Sequence, residues 1–229
     1  MTGTLFLVAT PIGNPDDITL RAVETLKSVD LVVYEERREG ERLLRRFAIE
    51  KPVESLNEHN EAAASFHILD LLKSGKSVAL VSDSGTPVFS DPGQLLVRKA
   101  IEREVRIVPI PGASSLLPAL IVSGFSIDQF VFYGWLSPKK DRRRAELRQL
   151  MQERRTIVLM DTPYRLVPLL KDLADTFGTG RRICTTLDLT MPDEQMFYGT
   201  AVELQKQFSA KERKGEFVIV IEGKNRDRR

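Results

Sequence analysis

Among its 229 residues the chain has one cysteine, Cys184, and two histidines, His59 and His67. One cysteine excludes an intrachain disulfide and suits a reducing compartment. With so few soft ligands, a structural zinc site is excluded as well. No apolar run approaches the about 20 residues that a membrane span requires. The start, MTGTLFLVATPIG, lacks the basic region and the apolar length of a signal peptide. Together these absences predict a cytoplasmic protein. No G-x-G-x-x-G follows the first apolar run, and G-x-x-x-x-G-K-[ST] and G-x-S-x-G occur nowhere. A Rossmann dinucleotide site, a P-loop and a serine-hydrolase elbow are thereby set aside.

What is present is an ordinary globular composition, 42% hydrophobic and 29% charged. The formal net charge of +2 is unevenly spread. Residues 1–124 hold 14 Lys/Arg against 17 Asp/Glu, a balance of −3, and residues 125–229 hold 20 against 15, a balance of +5. Solvated helix faces explain such a skew, and so does a polyanionic partner for the second half.

Short β-rich runs alternate with segments of helical periodicity. TLFLVAT (Thr4–Thr10), DLVVYE (Asp30–Glu35), KPVESL (Lys51–Leu56), SVALVS (Ser77–Ser82) and VRIVPI (Val105–Ile110) read as strands. The helical segments between them predict βαβ units and a mostly parallel sheet. Asp17 is expected to cap the first helix and Gly75 to end the third. Pro118 predicts a kink in SSLLPALIVSG. Beyond a break at Ser123–Asp128 the alternation resumes with FVFYG, a charged helix from Lys139 to Glu153, TIVLMD and YRLVPLLKDLADTF. RRICTTL and EQMFYG then follow without a helix between them, so the second sheet should be mixed. The fold class is therefore α/β, in two domains, residues 1–120 and 121–229.

Ligands of open α/β sheets gather beyond the carboxyl ends of the strands. Three such ends run into loops rich in turn-formers: ATPIGNPDD (Ala9–Asp17), SDSGTPVFSDPG (Ser82–Gly93) and PIPGASS (Pro109–Ser115). Glycine permits close backbone approach there, and proline limits the shapes the loops can take. Ser114 and Ser115 open a helix whose first amides can receive a carboxylate. A plain turn accounts for any one of these loops, whereas three in one domain point to a small-molecule site. His59, in NEHNE, is either a base or a capping residue.

LFLVATPIGNPDDITLRAVETLKSVDLVV, NEHNE, VALVSDSGTPVFSDPG, IVPIPGASS and RKGEF occur in an order that resembles the ribosomal RNA small subunit methyltransferase I family, of the tetrapyrrole-methylase superfamily. The resemblance spans Thr4 to Gly223. It implies a homodimer that uses S-adenosylmethionine to methylate the ribose 2′-hydroxyl of a cytidine in the decoding region of 16S ribosomal RNA. It also implies a cofactor cleft between the two α/β domains. Carried over, Pro11, Ile12 and Gly13 line one side of the cofactor. Asp83, Gly85 and Thr86 form the floor, Ala113, Ser114 and Ser115 another wall, and Met160 and Leu187 complete the site. No metal is implied.

The chain departs from the family's pattern in three places. The family's E-D-T-R is Glu35-Glu36-Arg37-Arg38, its G-P is Gly112-Ala113, and its R-E-L is Leu187-Asp188-Leu189. A ribose hydroxyl is a weak nucleophile, so a base or a cation would assist it. Glu36 is the candidate base and Arg38 the candidate phosphate or oxyanion contact. Residues 35–42 also read as a solvated, salt-bridged helix start. For RNA, Ser137–Arg155 carries eight basic and three acidic residues. Lys139, Lys140, Arg142 and Arg143 are its candidate phosphate contacts, and Tyr133 or Trp135 could stack a base. Lys211, Arg213 and Lys214 form a second basic patch. Two alternatives stand: a methylase of the same fold acting on a small molecule or another RNA, and a non-catalytic ribosome-assembly or RNA-binding protein.

Overall fold

A computed structural model describes residues 2–210 and 213–224; Lys211 lies outside the described residues, as does the tail beyond Lys224. The chain divides into two compact units, the first ending at Ser114 and the second starting at Ser115.

The first unit contains β1 (Thr4–Val8), α1 (Leu20–Ser28), β2 (Leu31–Tyr34), α2 (Arg37–Arg46), β3 (Val53–Ser55), α3 (Glu61–Lys73), β4 (Val78–Val81), α4 (Gln94–Glu102) and β5 (Arg106–Ile110). Its strands form one sheet in the order β3-β2-β4-β1-β5, and every pairing is parallel. A sheet with both faces covered needs strands that are apolar at every position. β2 and β4 are buried along their whole length. Their side chains alternate between two cores: Leu31, Val33, Val78 and Leu80 pack with Leu69, Leu72 and Leu96. On the opposite face, Val32, Tyr34, Ala79 and Val81 pack with Ala22, Leu26 and Leu44. Truncating a fully buried leucine such as Leu69 to alanine would cost about 2–5 kcal/mol.

Local signals set most of the boundaries. Thr19, rather than Asp17, caps α1, its hydroxyl accepting from the amide of Ala22 at 3.1 Å. Asp17 instead belongs to a short 3-10 turn over Pro15–Asp17, headed by Asn14. Gly75 ends α3 as expected. It lies at φ +96, its N–H donates to Leu72 O and the N–H of Lys76 donates to Leu71 O.

The second unit contains α5 (Leu116–Ser123), β6 (Phe130–Gly134), α6 (Lys140–Leu150), β7 (Thr156–Asp161), α7 (Leu166–Phe177), β8 (Arg182–Leu187), β9 (Gln195–Thr200), α8 (Ala201–Ala210) and β10 (Phe217–Ile221). The sheet order is β6-β7-β10-β8-β9. β6 and β7 run parallel and the remaining pairs antiparallel, so the sheet is mixed. α5 packs on β10 and β8, which places the division of the chain ahead of this helix and not at residue 120. Pro118 does not break α5, because it stands in the first turn, where an amide has no intrahelical partner to lose. Among the described residues no helix is long and apolar enough to cross a membrane.

Candidate active site

In the first unit, the loops after β1, β4 and β5 leave the same edge of a parallel sheet, with β1 between the other two strands. Thr10 and Gly85 join the first two loops: the N–H of Thr10 donates to Gly85 O at 2.8 Å and that of Gly85 returns to Thr10 O at 3.1 Å. The buried Thr10 hydroxyl also donates to Ser82 O at 2.9 Å. Thr86 ties the second loop to the third, its hydroxyl donating to Ala113 O at 3.3 Å. Gly85 sits at φ +86, and a Cβ there would lie 3.2 Å from Ile12 Cγ2 and 3.7 Å from Ala113 O. A Cβ on Gly112 would stand 3.0 Å from that of Ala9. Pro11, Ile12, Gly13, Asp83, Gly85, Thr86 and Ala113 thus belong to one cluster of interlocked loops, and Ser114 follows Ala113 directly. Val88 and Ser90, at φ +70 and +69, are left-handed residues in the longest of these loops. For β-branched Val88 this is a strained conformation, of a kind that gathers at functional sites.

Carboxylates line the neighbouring strand ends. Asp83 Oδ1 accepts the N–H of Glu36 at 3.1 Å, which fixes the turn after β2 against the loop after β4. Asp91 Oδ2 accepts the Ser82 hydroxyl at 2.6 Å. Burial pushes both carboxyls above their ordinary range, and these hydrogen bonds oppose the shift. Glu35 is pushed up to about 7, first by burial and then by the charges of Asp91, Asp83, Glu36 and Glu58. Glu36 itself is exposed at the N-cap of α2, and Arg38 is exposed in its first turn. The pairs Arg37–Glu41 and Arg42–Glu39 make this helix start the salt-bridged surface that its composition suggested. His59 is exposed beside Glu58, in a turn closed by Asn57 and Asn60. Among the described residues no group of three or more His, Cys, Asp or Glu could hold a metal ion.

In the second unit, Ser115 is the N-cap of α5 without a side-chain capping bond. Met160 and Leu187 lie at the ends of β7 and β8 on either side of β10, paired with Val218 and Phe217. Leu187 is buried in the core. The basic helix is not uniformly basic toward solvent. Lys139, Lys140 and Arg142 are exposed, but Arg143 is not a phosphate contact. Its side chain is 9% exposed, and its guanidinium is spent on Asp172, at 2.6 and 2.8 Å, and on the carbonyls of Ser137 and Pro138. Of the two aromatic candidates, Tyr133 packs against the core, whereas Trp135 is 49% exposed. Lys214 is exposed, with Nζ 6.0 Å from the ring centroid of Tyr164, itself 78% exposed.

A sequence model of the tetrapyrrole (corrin/porphyrin) methylases matches residues 4–205. The ribosomal RNA small subunit methyltransferase I of Synechocystis sp. is 45% identical over 221 residues, covering 96% of this chain and 79% of that protein. Its counterpart in Bacillus subtilis is 40% identical, over 98% of this chain and 77% of that protein. The chain belongs to the ribosomal RNA small subunit methyltransferase I family. It is an S-adenosylmethionine-dependent methyltransferase. The fold agrees: the uroporphyrin-III C-methyltransferase of Thermus thermophilus, in complex with S-adenosylhomocysteine, superposes with a TM-score of 0.64 at 19% identity, over 96% of this chain and 97% of that one.

For a methyltransferase of this family, sequence reasoning passed over three features. Thr10, inside the A-T-P-I-G-N run, is a buried hydroxyl that bridges two loops. Glu35, not its exposed neighbour, is the carboxylate that turns inward at the end of β2. Arg143, Leu147 and Leu150 fall at helical spacing and are all buried, a periodicity legible in the sequence that places Arg143 on the core face.

Proposed function

We propose that this enzyme transfers the methyl group of S-adenosylmethionine to the 2′-hydroxyl of a cytidine in the decoding region of 16S ribosomal RNA, in the cytoplasm and as a homodimer. The observation that carries this reading is the interlocking of the loops after β1, β4 and β5 through Thr10, Gly85, Thr86 and Ala113, in a chain of this family. Such a cradle of small residues and backbone groups suits a ligand gripped by hydrogen bonds to amides and carbonyls. The half-buried carboxylates Asp83 and Asp91 suit a cationic sulfonium. Residues Pro11, Ile12, Gly13, Asp83, Gly85, Thr86, Ala113 and Ser114 would hold the donor.

When bound, the donor supplies a methyl group already activated by its positive sulfur. The protein's part is then chiefly to align donor and acceptor, an effect that can contribute about 7–11 kcal/mol. The loops are suited to it, since Gly85 and Thr86 are each tied by hydrogen bonds to a neighbouring loop. Lys139, Lys140, Arg142 and Lys214 are exposed cations able to neutralise phosphates, and Arg38 is a further one at the strand ends. Trp135 offers a face on which an unstacked base can rest.

The test is transfer of labelled methyl from S-adenosylmethionine to small ribosomal subunits that lack the modification, followed by mapping of the product. A 2′-O-methyl cytidine in the decoding region, lost in Asp83→Ala, is expected. Cofactor binding without transfer to those subunits would leave the donor site standing and overturn the substrate.

A further inference from the structure

Glu35 and Glu36 are adjacent, but the turn after β2 treats them oppositely. Glu36 gives its backbone N–H to Asp83 Oδ1 at 3.1 Å and leaves its side chain in solvent. That bond anchors the turn to the loop after β4 and leaves Glu35 half-buried at the strand end, beside the loops assigned to the methyl donor. We propose that Glu35 is the base that takes the proton from the acceptor hydroxyl, a role that rests on the function proposed above. In this step the hydroxyl oxygen forms a bond to the methyl carbon as the S–CH3 bond breaks. The bonding pair leaves with sulfur, giving neutral S-adenosylhomocysteine, and the hydroxyl proton passes to the Glu35 carboxylate.

The surroundings single out Glu35 among the carboxylates. The charges of Asp91 and Asp83, from the loop after β4, act on it, as do those of Glu36 at the start of α2 and Glu58 from the turn after β3. Two of these neighbours are fixed in place by hydrogen bonds, Asp91 from the Ser82 hydroxyl and Asp83 from the Glu36 amide. Burial first, and then the surrounding negative charge, raise the proton affinity of Glu35, and the carboxyl stands at about 7. A base of that strength is still ionised near neutral pH, yet is more basic than an ordinary glutamate. His59, the other candidate base, is 85% exposed.

The experiment measures kcat and KM against pH for the unaltered enzyme, Glu35→Gln, Glu35→Asp and Glu36→Gln, with S-adenosylmethionine and unmodified small subunits. Cofactor affinity is read separately by calorimetry. For the unaltered enzyme kcat should rise with pH through a midpoint near 7 and then level off. Glu35→Gln should lower kcat by about 10²–10⁴-fold and abolish the rising limb, with the S-adenosylmethionine dissociation constant unchanged. Glu35→Asp should restore part of the rate. A Glu35→Gln enzyme that keeps its rate and its rising limb overturns the assignment. So does one that no longer binds the cofactor, or a loss of the limb in Glu36→Gln instead. A blank result with the unaltered enzyme is a failure of the proposed substrate, and is recognised because the control itself transfers nothing.

Discussion

Thr10 and Gly85 exchange two backbone hydrogen bonds, 2.8 and 3.1 Å long, although 75 residues separate them in the chain. This isolated antiparallel bridge lies two residues beyond the end of β1, between the loops rather than the strands. It requires a residue at φ +86, where glycine is at ease and a side chain is not.

Gly85→Ala should therefore destabilise the fold by about 1–2 kcal/mol through the left-handed backbone alone. Its new Cβ would also press on Ile12, at 3.2 Å. The expected outcome is a lower melting temperature together with weaker S-adenosylmethionine binding by calorimetry. Gly178→Ala is the control. It also has a positive φ, +55, but a Cβ there meets nothing within 4 Å. It should lower the melting temperature and leave cofactor affinity alone. Equal effects of the two variants on affinity would show that the bridge has no special bearing on the donor site.

Asp172 ties α6 to α7 by accepting from two arginines, Arg143 at 2.6 and 2.8 Å and Arg144 at 2.9 Å. Asp172→Ala removes the carboxylate paired with the buried Arg143 and should cost about 3–5 kcal/mol in a denaturant titration. Arg142→Ala, one position away but exposed, should change stability by less than about 0.5 kcal/mol. Its effect should fall on RNA, with weaker binding and a smaller dependence on salt, by about 0.7 in the logarithmic slope for one single-strand contact. A stable Asp172→Ala protein, or an unstable Arg142→Ala one, would reverse the roles given to the two faces of this helix.

That contrast shows where the sequence is a good guide and where it is not. Runs such as LVVY and VALV, apolar at every position, point to strands covered on both faces, and β2 and β4 are such strands. The family blocks lead to the three loops, because turn residues at strand ends leave few conformations open. Side-chain direction at an element's last residue is another matter. Glu35 and Glu36 have the same chemistry, and which of them turns inward is decided by a hydrogen bond to Asp83, 47 positions away. No local pattern carries that information. Arg143 is the opposite case, since the stripe it shares with Leu147 and Leu150 was legible and its basic neighbours drew attention from it.

Cys184 is buried in β8 with its thiol pushed up to about 11 by burial. At pH 8 only about one thiol in a thousand would then be ionised, and the thiolate is the reactive form. Native protein should resist a thiol-directed reagent, and labelling should become fast once guanidinium unfolds the chain. Rapid modification of the folded enzyme would mean that β8 opens far more often than its central packing implies.

Glu35 makes the first unit sensitive to pH in a direction that can be worked out. Its carboxyl titrates at about 7 in the folded protein against an ordinary value of 4.5, so between these two the folded state holds more protons than the unfolded one. Stability then falls as pH rises across that window, because unfolding releases the carboxylate from burial and from its acidic neighbours. Asp83 and Asp91 are shifted the same way, so a single melting curve would not isolate Glu35. The difference between the unaltered enzyme and Glu35→Gln does isolate it. Glu35→Gln should gain stability relative to the unaltered enzyme as pH rises from 4.5 to 7, and the gap should stay constant above that range. A gap that does not change with pH would mean that Glu35 titrates as an ordinary surface glutamate, and would remove the electrostatic basis for its role as the base.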